Sequence, residues 1–273
     1  MNIGILGCAG RMGQMLVREI SATEGAMLAG GADHAGHAQL GQDIAVIAGL
    51  PPCGLRLGSD PAAIIAGCDV VIDFTHAAVA PAHATLAAKH KTSIVIGTTG
   101  IDTAGTAEIE RAAKIVPIVW ASNYAVGVNV LFALTKRLAG VLGDDFDIEI
   151  LEMHHRHKVD APSGTALTLG EMAAAGRGVK LNDVSARGAA RDGQTGARKK
   201  GDIGFAALRG GDVVGDHSVI FACEGERVEL VHKASSRGVF ARGAVRAALW
   251  VPGQNPGRYS MADVLGFTDE VPR

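Results

Sequence analysis

The chain has 273 residues, 48% of them apolar and 20% charged, and its 26 lysines and arginines face 28 acidic side chains for a formal net charge of -2. That length gives ample core for one large or two modest domains, and the composition excludes a disordered or fibrous chain. So even a charge balance supplies no global field to gather nucleic acid, so any anion binding has to be local.

Ile3-Gly4-Ile5-Leu6 reads as a short apolar strand, and Met1-Asn2 before it leaves no basic segment or cleavage site of a secretory signal. Gly7-Cys8-Ala9-Gly10-Arg11-Met12-Gly13 follows at once, and Met12, Met15, Leu16 and Ile20 then recur at helical spacing. Glycines between a strand and a helix suit a dinucleotide: they permit the tight turn, the close approach of a pyrophosphate and a helix packed near the strand. The spacing is Gly-x-x-Gly-x-x-Gly with Ala9 at a usual glycine position, so a plain glycine-rich turn is the other reading of this stretch alone. The second strand, 27–32, ends at Asp33-His34, and Asp33 stands twenty residues beyond Gly13, where an acid meets ribose hydroxyls.

Asp60-Pro61 starts a helix that runs through Ile64 and Ile65 to Gly67. Residues 69–74 read as a buried strand, and 79–90 as a helix whose His83 and His90 are taken as solvated or core histidines. Residues 93–96 form a strand ending in Gly97-Thr98-Thr99-Gly100, 108–113 a helix, and 116–120 another strand. This alternation predicts an α/β, Rossmann-type parallel sheet wrapped on both faces. Ligands in such sheets lie beyond the carboxyl ends of the strands. Here those ends carry Gly7 to Gly13, Asp33-His34, Phe74-Thr75, Gly97 to Gly100 and Ala121-Ser122-Asn123-Tyr124.

After Asn123 the texture changes. Residues 128–142 form a long amphipathic helix, 147–153 alternate as a half-buried strand, and 165–175 have helical spacing. Residues 179–200 are polar and glycine-rich, the pattern of a long surface loop able to close over a ligand. Residues 203–208, 217–223 and 227–232 read as strands, the last two joined by a hairpin at Glu224-Gly225-Glu226. Runs of strands mark an α+β second domain with a mostly antiparallel sheet. A helix from 239 to 250, stopped by Pro252, and the tail through Tyr259 and Phe267 return to the first domain. The expected division is 1–125 with 237–273, and 126–236. Cys8, Cys53, Cys68 and Cys223 lie far apart with no Cys-x-x-Cys pair, as buried thiols in a reducing compartment do. With no run of about eighteen consecutive apolar residues, a cytoplasmic protein without a membrane partner is expected.

Between the strand at 147–153 and the helix at 165–175 lies His154-His155-Arg156-His157-Lys158-Val159-Asp160-Ala161-Pro162-Ser163-Gly164-Thr165. Cations lead here into a helix start, whose backbone N–H groups and dipole favour a carboxylate or phosphate. Zinc is one alternative, since His154, His155, His157 and Asp160 are possible ligands. Neighbours on a strand point to opposite faces, and no complementary half-site stands out, so no metal is expected. A solvated basic loop is another alternative. The reading favoured here is a carboxylate site with an acid catalyst, because crowded cations lower one another's proton affinity and make a proton donor near neutral pH.

The chain resembles the dihydrodipicolinate reductases of bacterial lysine and diaminopimelate biosynthesis. The basic loop through Thr165, with Glu152 before it, carries the resemblance, together with Gly7 to Gly13, Gly97 to Gly100, Asn123 with Val126-Gly127-Val128-Asn129, and His232-Lys233-Ala234-Ser235-Ser236-Arg237. It implies a dinucleotide-binding domain completed by the C-terminal tail, and a substrate domain whose sheet builds a homotetramer. The implied reaction is reduction of a cyclic imine dicarboxylate by NADH or NADPH, with loss of water. By position, His154 is the proton donor and acceptor, Lys158 the second proton donor, and His155, Gly164 and Thr165 bind the substrate carboxylates. Cofactor contacts fall on Gly7, Cys8, Ala9, Gly10, Arg11 and Met12, on Asp33 and His34, on Gly97, Thr98 and Thr99, and on Ala121, Ser122, Asn123 and Tyr124. Many relatives place an arginine after the second-strand acid, where His34 stands here, so NADH is expected to serve at least as well as NADPH. A semialdehyde dehydrogenase would need a nucleophilic cysteine in a loop after the cofactor domain, and a silent dinucleotide sensor would need no proton donors.

Overall fold

A computed structural model describes residues 1–186 and 193–267. Arg187-Gly188, within the expected 179–200 loop, and the last six residues of the tail lie outside the described residues. The chain divides into two compact units, one made of Met1–Val126 with Arg237–Gly266 and the other of Gly127–Ser236.

The first unit is built on a six-stranded sheet in the order β11-β5-β4-β3-β1-β2. Its strands are β1 (Asn2–Leu6), β2 (Met27–Ala32), β3 (Val70–Asp73), β4 (Ser93–Ile96), β5 (Pro117–Trp120) and β11 (Gly257–Tyr259), and every pairing is parallel. Successive side chains point to opposite faces, so strands apolar at every position need cover on both sides. Ile3, Ile5, Val70, Ile72, Val95 and Val119 face α1 (Arg11–Ala22) and α9 (Gly238–Trp250). Leu6, Val71, Ile94, Ile96 and Ile118 share the other core with α3 (Pro61–Ala66), α4 (Ala80–His90) and α5 (Thr103–Ala113). The short α2 (Ile44–Ile47) is capped by Asp43, α3 by Asp60 and α5 by Asp102, each carboxylate accepting a backbone N–H of the first turn. The tail adds β11 beside β5 and then α10 (Met261–Leu265), which starts with a Ser260–Asp263 capping box.

The second unit holds a mixed sheet in the order β10-β9-β6-β8-β7. Its strands are β6 (Asp147–His154), β7 (Ser185–Ala186), β8 (Ile203–Arg209), β9 (Gly215–Cys223) and β10 (Glu226–Ala234). The long pairings of β9 with β6 and β10 are antiparallel, while β8 runs parallel to β6 and β7. Three helices belong here, α6 (Val126–Leu142), α7 (Gly164–Gly176) and α8 (Leu181–Val184). By length and composition Val126–Asp145 could cross a membrane. Val128, Leu131, Phe132, Ala133 and Ala139 are nevertheless buried in the fold, and Lys136 and Arg137 interrupt the apolar run, as in a core helix. Glycine lets α6 and α7 approach closely: a Cβ at Gly176 would lie 2.2 Å from the Lys136 carbonyl oxygen. The segment read as loop from 179 carries α8 and β7 before residue 187. A four-residue helix and a two-residue strand are too short to leave a periodic signal.

Candidate active site

In the first unit, the strand ends expected to meet a cofactor make a continuous row of contacts. Gly7 sits at φ +77°, a conformation that favours glycine. The Gly7 and Cys8 N–H groups donate to the Ala32 carbonyl at 2.9 and 3.0 Å, tying the turn to the end of β2. A Cβ at Gly13 would lie 2.2 Å from the Gly7 oxygen and 2.3 Å from that of Cys8, so only hydrogen lets α1 start this close to the turn. Asp33 closes the turn from the other side, Oδ2 accepting the Ala9 N–H at 3.1 Å and Oδ1 the His34 N–H at 2.9 Å. An ionised carboxylate has lone pairs left over for ribose hydroxyls. The Cys8 thiol lies buried against Gly31 and, pushed up to about 12 by burial and then by Asp33, stays neutral.

Three cavities follow the carboxyl ends of the strands. One of about 290 Å³ is bounded by Gly7, Gly10, Asp33 and His34 together with Thr75 and His83. A second, about 330 Å³, is lined by Arg11, Met12, Ser122, Asn123 and Tyr124 with Arg237 and Phe240 from the chain's return. The third, about 280 Å³, takes Thr98, Thr99, Ala121 and Ser122 with Arg258 and Tyr259. Gly97 acts differently, for a Cβ there would fall 2.3 Å from the Phe74 ring, which lines the first two cavities. The Tyr124 hydroxyl is turned into the core, reaching the carbonyls of Ile96 at 2.8 Å and Val119 at 3.1 Å.

In the second unit, the alternation of β6 puts Ile148, Ile150, Glu152 and His154 on its buried face. His154 Nδ1 lies 2.6 Å from Glu152 Oε2. Glu152 also receives Arg209 through both guanidinium nitrogens, each at 2.8 Å, and the Ser163 N–H at 3.1 Å. Burial pushes the Glu152 carboxyl up, but the hydrogen bonds from Arg209 and His154 outweigh it and hold the group below the usual carboxylate range.

Register carries the row onward. Glu152 stands opposite His217 on β9, and His217 opposite His232 on β10. His217 Nε2 lies 3.0 Å from Ser163 Oγ, which itself accepts the Ala166 N–H and so caps α7. Burial, then the His154 charge, holds His217 down at about 4. Beyond the strand, Lys158 Nζ donates to Asp160 Oδ1 at 2.8 Å, His155 is half-buried, and Gly164 and Thr165 open α7 directly after the Ser163 cap. The five residues assigned to chemistry and carboxylate binding thus share one strand end, loop and helix start.

The profile described as "Dihydrodipicolinate reductase, N-terminus" matches residues 1–124, and its C-terminal counterpart matches residues 127–265. The chain belongs to the dihydrodipicolinate reductase family.

Relatives named 4-hydroxy-tetrahydrodipicolinate reductase match it from end to end. That of Parvibaculum lavamentivorans is 55% identical over 268 residues, 98% of each chain. That of Dinoroseobacter shibae is 53% identical over 266 residues, 97% of this chain and 98% of the other. The fold is shared with a dipicolinate-bound dihydrodipicolinate reductase from Paenisporosarcina sp. TG-14, at TM-score 0.76 and 24% identity over 96% of this chain and 98% of that one. It is shared more loosely with an aspartate semialdehyde dehydrogenase from Vibrio cholerae, at TM-score 0.53 and 11% identity over 93% and 99% of the two chains.

Several residues that the structure brings to the two sites carry no local signal in the sequence. His83, read as solvated or core, pairs with the fully buried Asp73 at 2.7 Å and lines the first cavity. Arg209 and His217 stand on strands far along the chain, and only the pairing register reveals that they flank Glu152 and His154. Asp33, His34 and His37 each bring a possible metal-ligating atom within 4.8 Å of the others. Among the described residues this is the one such grouping, and it includes none of His154, His155, His157 and Asp160.

Proposed function

We propose that this chain catalyses the NAD(P)H-dependent reduction of 4-hydroxy-tetrahydrodipicolinate to tetrahydrodipicolinate with loss of water, the reductase step of lysine and diaminopimelate biosynthesis. The observation that carries this reading is that one member of the family holds both a glycine turn closed by Asp33 and a buried His154 imidazole on the strand that leads through the partly exposed Lys158 ammonium to a capped helix start.

The unit of residues 1–125 and 237–273 is the dinucleotide-binding domain, and 126–236 the substrate-binding and tetramerisation domain. Gly7 to Met12 would cradle the pyrophosphate, Asp33 and His34 the adenosine ribose, and Gly97 to Thr99 with Ala121 to Tyr124 the nicotinamide half. When bound, the nicotinamide supplies a hydride to the ring of the substrate. A dianionic substrate needs donors for two carboxylates, which His155 and the Gly164–Thr165 helix start provide. The electron pair delivered with hydride has to be matched by a proton from a nearby acid, and His154 serves as proton donor and acceptor with Lys158 as the second donor. Asp160 holds the Lys158 ammonium in place. The working form is a cytoplasmic homotetramer.

The test is cofactor oxidation in the presence of the freshly formed condensation product of aspartate semialdehyde and pyruvate. Oxidation that requires this product is expected, and none with either cofactor would overturn the function. With His34 where an arginine would hold a 2′-phosphate, kcat/KM for NADH should at least equal that for NADPH. A preference for NADPH above about a hundredfold, roughly 2.7 kcal/mol, would contradict the reading of His34.

A further inference from the structure

We propose that Glu152, clamped by Arg209, is a positioning residue that fixes the His154 imidazole as a donor through Nδ1 and so makes Nε2 the atom that exchanges a proton with substrate. The inference rests on the reading of His154 as the acid.

Glu152 is 1% exposed and collects N–H donors from three directions: Arg209 on β8, the Ser163 backbone at the start of α7, and the imidazole two residues along its own strand. An ionised carboxylate only accepts hydrogen bonds. The hydrogen in its 2.6 Å contact with His154 therefore resides on Nδ1, which leaves Nε2 as the nitrogen that gains and loses a proton. Gly215 keeps that nitrogen clear, since a Cβ there would approach Nε2 to 3.0 Å.

The guanidinium decides where the proton stays. A buried carboxylate beside an imidazole competes with it for the proton, because burial favours the neutral acid. A two-pronged guanidinium contact reverses that preference and keeps Glu152 the weaker base. The other groups facing His154 reinforce the assignment. His217, whose ring meets that of His154 edge-on at 5.1 Å, is occupied by Ser163, and Lys158 is already paired with Asp160. The Ser163 N–H bond adds a second effect, for the carboxylate that orients the acid also fixes the start of the helix that receives the substrate carboxylates. A carboxylate that hydrogen-bonds one imidazole nitrogen fixes the tautomer and orientation of the ring and stabilises its protonated form.

Glu152→Gln keeps the shape and removes the charge. The expected result is a kcat lowered by at least about tenfold, a KM for substrate that changes less than kcat, and an alkaline limb of the kcat profile, where the acid loses its proton, displaced to lower pH by about one unit or more. A purely structural role would leave the pH limb in place. Imidazole nitrogen shifts of the wild-type protein, assigned through His154→Gln, should show Nδ1 protonated throughout and Nε2 titrating. A wild-type kcat and pH limb in Glu152→Gln, or a neutral imidazole protonated at Nε2, would overturn the inference. Should Glu152→Gln fail to fold, the wild-type nitrogen shifts decide alone. Full turnover in His154→Gln would instead sink the acid itself, while an inactive His154→Gln beside an unaltered Glu152→Gln would sink this inference only.

Discussion

His217 shows how a single buried side chain ties the site to stability. Its Nε2 is taken by Ser163, it is only 4% exposed, and burial lowers it from an ordinary 6.5 to about 4. Above pH 6.5 both folded and unfolded chains hold it neutral, and its neutral burial costs no proton. As pH falls from 6.5 towards 4 the unfolded chain takes up a proton that the folded chain refuses, so stability declines across that window and this contribution levels off below it. The full loss is on the order of 3 kcal/mol. His232, held down by burial as well, acts in the same direction, whereas the depressed Glu152 carboxyl loses its contribution only as pH falls below its ordinary 4.5. Thermal unfolding of wild type should therefore drop steadily from pH 6.5 to 4, with a visibly shallower drop in His217→Gln. Parallel slopes for the two proteins would show that His217 is not held neutral by the fold.

At the scale of elements, the glycine turn and α1 depend on backbone contacts that no side chain can yield. A Cβ at Gly13 meets two carbonyl oxygens inside 2.4 Å, at 2.2 and 2.3 Å, while one at Gly10 meets a single oxygen at 3.2 Å. Gly13→Ala should push α1 away from β1, destabilising the protein by about 1–3 kcal/mol and weakening NADH binding at least about tenfold, with Gly10→Ala milder on both counts. Denaturant unfolding and cofactor titration check this, and wild-type values for Gly13→Ala would contradict it. Elements of this kind were legible in the sequence because glycine spacing, buried strands and Asp-Pro starts leave strong local signals. The first turn of α5 was not, since Thr103-Ala104-Gly105-Thr106-Ala107 shows no apolar period, although Asp102 caps it. Gly105 stands there because a Cβ would lie 2.7 Å from both Ile101 and Pro81.

At the scale of the whole molecule, the change from alternating strands and helices to successive strands after Asn123 marks where one sheet gives way to another. That change is written in the periodicity, and the clustered cations of the basic loop announce themselves without any fold. What pairing brings together is not written there. Arg209 and His217 reach Glu152 through register alone, and Arg237 and Phe240 reach the second cavity because the chain returns to the first unit. Each sits in a stretch whose local pattern reads only as strand or helix start.

On the proposed function, hydride would pass directly from a nicotinamide held by the glycine turn to a dicarboxylate ring served by the His154 loop. Turnover with NADH bearing deuterium at nicotinamide C4, followed by mass spectrometry of the product, tests it most directly. Deuterium should appear in tetrahydrodipicolinate from one of the two C4 diastereomers and not the other. Product free of deuterium from both would contradict direct transfer and with it the account of this site.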